Sequence, residues 1–242
     1  MAQFGNEATK SEPLATGKVL MARGVQAYDA GNDSIALPIF RQAAGTGNVE
    51  AMMYLGVMYG TGRGVNVNYE SAVLWFRKAA DAGNSQAMCN LGLLYFQGKG
   101  VEKSYTTAMR WFGRSASFGN AEAMFNVGVL YRDALGVAQD YAEAMKWFKR
   151  AAIDTSDAAN NAIGMLYQQG LGVSVDYREA MSWYRKAADA GNDAAIYNIG
   201  VLWENGLGVT RDRDQAVLWY RKAAAAGNEN AKVVLKSLGL EE

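Results

Sequence analysis

Few side chains in this sequence are suited to bond-making chemistry. There is no His, so imidazole cannot act as base, acid or metal ligand. Cys89 is the single cysteine. It excludes an intrachain disulfide and a thiolate-bound metal cluster, and it reads as a small apolar residue rather than a nucleophile. Turns of the type Gly62-Arg63-Gly64-Val65 have the composition of a phosphate-binding loop. They follow a helical pattern instead of a strand, so the context of a dinucleotide site or P-loop is absent. Carboxylates such as Asp140 and Glu143 lie close in sequence, yet nothing marks them as a pair converging in a dry pocket. Neither catalysis nor a cofactor is expected. The side chains left to consider make contacts: aromatics, methionines, asparagines and scattered charges.

Composition narrows the class further. The chain has 242 residues, 50% hydrophobic and 20% charged, enough for a sizeable core. Lys plus Arg is 24 and Asp plus Glu is 24. A binder of nucleic acid or of membrane surfaces would carry a positive excess, so no nucleic-acid partner is expected. No apolar run reaches the roughly 18 residues of a membrane span. The start, MAQFGNEATKSEP, lacks the basic and apolar regions of a signal peptide. A processed chain would look the same, so a cytoplasmic and a periplasmic or secreted protein both remain open.

The elements that must position these side chains follow from an internal repeat. Trp75, Trp111, Trp147, Trp183 and Trp219 are spaced 36 residues apart. The columns Gly56 to Gly200, Ala51 to Ala231 and Val65 to Val209 share that period. In each unit the first segment, as in AMMYLGVMYG (51–60), has the apolar spacing of an amphipathic helix A. Its glycine costs about 1 kcal/mol against Ala, which predicts close backbone approach by the paired helix. A glycine turn follows, then helix B, as in YESAVLWFRKAADAGN (69–84). Two such helices bury both apolar faces only when copies stack. The expected fold is all-α, a right-handed superhelical solenoid of 36-residue helix-turn-helix repeats. Its parts are a polar arm (1–14), a degenerate repeat (15–50), five full repeats (51–86, 87–122, 123–158, 159–194 and 195–230), and a capping helix with tail (231–242). The third repeat departs twice: Ala134 replaces the first turn glycine, and Asp154-Thr155-Ser156 replaces Ala-Gly-Asn. Asp154 or Ser156 would cap the next helix.

The pattern A-x-x-x-L-G-x-x-Y-x-x-G-x-G-V followed by Y-x-x-A-x-x-W-[FY]-x-K-A-A-x-x-G-N is seen in AMCNLGLLYFQGKGV (87–101) and AMSWYRKAADAGN (180–192). It resembles the Sel-one-like repeat, a relative of the tetratricopeptide repeat. The resemblance implies a scaffold that binds another protein or peptide, with some bacterial members acting as immunity partners of secreted phospholipase effectors. A cysteine-rich branch linked to β-lactams uses paired cysteines, and the single Cys89 places this chain outside it. The resemblance also implies that helix A lines a concave groove. One groove column is then Met53, Cys89, Phe125, Asn161 and Tyr197. A second is Val57, Leu93, Val129, Met165 and Val201, and a third is Gly60, Phe96, Arg132, Gln168 and Glu204. A fourth is Tyr54, Asn90, Asn126, Ala162 and Asn198, and related repeats use the asparagine at this place to hold a peptide backbone or carboxylate. These columns vary between repeats, as ligand-facing residues are free to do. Met53, Phe96, Phe125 and Tyr197 are the candidate anchors, and Arg132 and Glu204 the candidate charge selectors. The invariant tryptophans are expected in the core, where Trp→Ala costs about 3–5 kcal/mol. The basic pairs such as Arg77-Lys78 are expected to favour the helix C-terminal dipole. Rival readings are a small-molecule binder or β-lactamase-like protein, and a self-assembling scaffold.

Overall fold

In a computed structural model, residues 8–154 and 157–240 are described, and they are helices joined by turns. The elements are α1 (Ala8–Asp29), α2 (Asp33–Gly45), α3 (Val49–Thr61), α4 (Tyr69–Asp81), α5 (Ser85–Gln97), α6 (Tyr105–Ser117), α7 (Ala121–Arg132), α8 (Tyr141–Ala151), α9 (Asp157–Gln169), α10 (Tyr177–Asp189), α11 (Asp193–Asn205), α12 (Arg213–Ala225) and α13 (Glu229–Ser237). Of the expected polar arm, residues 1–7 lie outside the described residues. Residues 8–14 are the start of α1 rather than an arm.

The helix boundaries follow from side-chain chemistry. The Asn of a Gly-Asn turn caps the next helix A: Asn48, Asn84, Asn192 and Asn228 accept from the N–H of Ala51, Ala87, Ala195 and Ala231. Helix B is capped in the same way by Asn68, Ser104, Asp140, Asp176 and Asp212. The turns between A and B need left-handed backbone at the first glycine, as in Gly62 with φ 79°. Ala134 takes the same conformation, φ 56°, without glycine's freedom. In the third repeat α8 ends in a 3-10 turn, Ala152–Asp154. Thr155 and Ser156 are outside the described residues, as is the side chain of Asp154.

The chain forms two compact units, residues 1–120 and 121–242. In the first, the hairpins α1–α2, α3–α4 and α5–α6 stack through α2 on α3 and α4 on α5. In the second, α7–α8, α9–α10 and α11–α12 stack through α8 on α9 and α10 on α11, and α13 covers α12.

Inside each hairpin the fit is ring against glycine. A Cβ placed on Gly56 would lie 2.4 Å from the Phe76 ring. Gly92, Gly128, Gly164 and Gly200 meet Phe112, Phe148, Tyr184 and Tyr220 in the same way. The helix A glycine is therefore explained by an aromatic ring of helix B, not by the backbone approach that the sequence suggests. These rings, one residue after each tryptophan, are the large buried side chains of helix B. The tryptophans themselves are only half-buried, a correction to their expected place in the core. Each lies beside a cation one turn later on its own helix: Lys78, Arg114, Arg150, Lys186 and Lys222 stand 3.8–4.7 Å from the ring centroids of Trp75, Trp111, Trp147, Trp183 and Trp219. Those cations cover the indoles in addition to facing the helix dipole. A half-exposed indole loses less on truncation than a buried one, so Trp→Ala should cost less than the core value.

Candidate partner-binding surface

Helix A divides its residues sharply by burial. The invariant positions face inward: Ala51, Ala87, Ala123, Ala159 and Ala195 are all 0% exposed. Apart from Cys89 and Ala162, which are buried, the variable columns stay partly open, because they lie beside the stripe that meets helix B.

In the first unit Met53 and Val57 are half-buried against the cluster that α4 and α5 form. Phe96, on the last turn of α5, is half-buried and meets Tyr105 edge-on at 5.2 Å. Asn90 accepts from Gln86 Nε2 at 3.4 Å. Cys89 is fully buried, so it belongs to the packing and not to the groove column in which the sequence places it.

In the second unit Phe125 packs at 5.5 Å on Phe148, and Tyr197 at 5.5 Å on Tyr220. One side of each ring thus joins the core while the residue stays half open. Asn126 donates to the Glu122 carbonyl at 2.9 Å, and Asn198 donates to Asn161 Oδ1 of the preceding repeat at 3.2 Å. Arg132 makes two 2.7 Å bonds to the Asp133 carboxylate. That hydrogen bonding raises its pKa above the ordinary arginine value, so its charge is already balanced within the chain. Glu204 accepts from the Tyr220 hydroxyl at 2.5 Å.

The last bond has a counterpart that the sequence reading missed. Tyr184 donates to Gln168 Oε1 at 2.5 Å. Where helix B carries Phe76, Phe112 or Phe148, helix A has Gly60, Phe96 or Arg132 in this column. Where helix B carries Tyr184 or Tyr220, the column supplies an acceptor. A buried hydroxyl must be hydrogen-bonded, so Gln168 and Glu204 are matched to those tyrosines. The joint change from Phe to Tyr and from non-acceptor to acceptor was visible along the chain. Burial pushes the pKa of both tyrosines well above the usual range, with Glu204 adding to the effect at Tyr220.

The family model of the Sel1 repeat matches residues 49–84, 85–120, 121–154, 157–192 and 193–228. The chain belongs to the Sel1 repeat family. A Sel1 repeat protein from Oxalobacter formigenes is 35% identical, covers 90% of this chain with 89% of its own, and superposes with a TM-score of 0.85. A protective antigen of uropathogenic Escherichia coli with the same repeat fold is 30% identical with a TM-score of 0.82. The match spans 97% of this chain and 53% of the antigen. An immunity protein from Pseudomonas aeruginosa shares the fold at 19% identity and a TM-score of 0.59, over 88% of this chain and 82% of that one. No curated protein matches the chain. The Sel1 repeat boundaries begin two residues before those read from the alanine column, since the family unit starts directly after the capping Asn. Sel1 repeat proteins are in general modules for protein interaction. Among the described residues, no helix of this Sel1 repeat protein is long and apolar enough to cross a membrane.

Proposed function

We propose that the chain binds another protein through the half-open side of helix A in its repeats. One observation carries the reading: the recurring alanines and glycines of helix A are buried, while the residues of the variable columns, Cys89 and Ala162 excepted, remain partly accessible. Packing constrains the former alike in every copy, whereas a ligand constrains the latter one by one. Phe96 in the first unit and Phe125 and Tyr197 in the second supply rigid aromatic surface of the kind that dominates interface energetics. Arg132 and Glu204, already paired within the chain, serve as positioned polar rims rather than free charges. In the finer form of the proposal the partner is an enzyme, such as a secreted phospholipase effector, that the chain holds inactive.

The test is affinity capture from the source organism with wild type beside a variant carrying Phe96→Gln, Phe125→Gln and Tyr197→Gln. A partner retained by wild type alone, with the helical circular-dichroism signal unchanged, supports the reading. Equal capture by both baits overturns it. Assaying the captured protein with and without the chain then decides whether binding inhibits it.

A further inference from the structure

On the helix B side of the first unit, Arg77, Tyr95, Thr107, Arg110, Trp111 and Arg114 line a cavity of about 250 Å³. It lies on α4, α5 and α6, apart from the variable columns of helix A. We propose that this cavity is a site for a phosphate monoester.

The donors are arranged for an anion with several acceptor oxygens. Arg77 donates to the Tyr95 hydroxyl oxygen at 2.5 Å, so the Tyr95 proton remains to be donated elsewhere. The Ser104 hydroxyl donates to Thr107 Oγ1 at 2.9 Å, and Thr107 likewise keeps its proton for an acceptor. Arg114 is held beside Trp111, 4.7 Å from the ring centroid, and stands 4.0 Å from Asp81. Among the described residues Arg110 has no hydrogen-bond partner or counter-ion. The lining therefore offers three guanidinium groups and two hydroxyl protons but no carboxylate. Guanidinium groups favour phosphate because their paired N–H donors match its oxygens. The volume is below that of an ordinary drug-sized pocket, which suits a phosphate and the few atoms that carry it.

Comparison with the other repeats shows what makes this one different. The equivalents of Thr107 in α8 and α10 are Glu143 and Glu179. In α8 that glutamate neutralises Lys146, the equivalent of Arg110, at 2.8 Å. Only in α6 does a neutral hydroxyl sit beneath three arginines, and α6 has no Asp or Glu of its own.

The decisive variant is Thr107→Glu, which copies the residue of the two following repeats, Glu143 and Glu179. It stands three residues after the capping Ser104, where glutamate completes a capping box, so the fold is preserved. The probes are inorganic phosphate and a phosphoserine peptide, titrated into the full chain while the Trp111 indole N–H is followed by NMR. Acetate serves as a carboxylate control. Phosphate is expected to shift the signal in wild type and in Arg185→Gln, the Arg77 equivalent in α10. Thr107→Glu and Arg110→Gln should each weaken binding at least about tenfold, as expected for a lost or opposed charge-assisted contact. Because the second ionisation of a phosphate monoester lies near pH 6, binding of the phosphoserine peptide should also weaken between about pH 7.5 and 5.5. Tighter binding of the peptide assigns the phosphate to a partner's side chain, and equal binding assigns a small ester. No shift up to about 10 mM phosphate, which corresponds to less than about 3 kcal/mol of binding, overturns the proposal. Unchanged affinity in Thr107→Glu, or equal response to acetate, does so as well.

Discussion

At Ala134 the chain places a Cβ in left-handed backbone where four matching turns place glycine at φ 68–79°. For an L-residue that conformation costs about 1–2 kcal/mol, and glycine's extra chain entropy offsets part of it. Ala134→Gly should therefore stabilise the second unit by about 1 kcal/mol, measurable as a higher denaturation midpoint. Tyr184 and Tyr220 give a pH test. Their folded pKa values lie above the ordinary 10.0, chiefly through burial. The folded state thus favours the protonated phenols: their stabilisation is complete below pH 10 and declines as pH rises beyond it. A variant with Tyr184→Phe and Tyr220→Phe should lose less stability than wild type between about pH 10 and 11.5 in urea titrations. The sequence showed the missing glycine at position 134 but not the bonds to Gln168 and Glu204. Those acceptors lie sixteen residues from their donors, and a reading of single columns does not pair one column with another.

Helix A and helix B meet through one recurrent fit, and α3 contains both the constrained glycine and an unconstrained one. Gly56 touches the Phe76 ring, whereas Gly60 has only Ala72 Cβ at 3.7 Å. Gly56→Ala should destabilise by about 1–3 kcal/mol through overpacking. Gly60→Ala should stabilise by up to about 1 kcal/mol through helix propensity. Chemical denaturation of the two variants side by side checks both signs, and Phe76→Leu should relieve part of the Gly56→Ala cost. The periodicity revealed the helices, their order and their turn residues, because caps and glycines act locally. It gave the wrong reason for the glycine and overrated the tryptophan. Both errors have one source: period alone does not say which of two adjacent aromatics, Trp75 or Phe76, turns inward. Of the variable columns that it proposed, Cys89 and Ala162 are buried, because a small side chain sinks beside larger neighbours.

At the scale of the molecule, contacts run between neighbouring helices within each unit, so stability is close to a sum over repeats and their seams. Phe148→Ala should remove about 3–5 kcal/mol of local packing. Hydrogen exchange should then accelerate in α7 to α9 while α3 to α5 keep their protection; uniform acceleration would show a single cooperative block instead. The seams have one more property. Asn192 caps α11 with its oxygen and donates through Nδ2 to Asp157 at 3.0 Å, and Asn228 does the same for α13 and Asp193 at 2.9 Å. In the first unit Asn120 reaches Gln86 at 3.1 Å. In the units 157–192 and 193–228 the fastening Asn is the last residue and its Asp receptor the first, so both halves of the joint lie within one period. A gene segment of that length, duplicated in tandem, would encode a new repeat that already holds its neighbours. Array length in such a lineage can drift by whole repeats without any compensating point mutation.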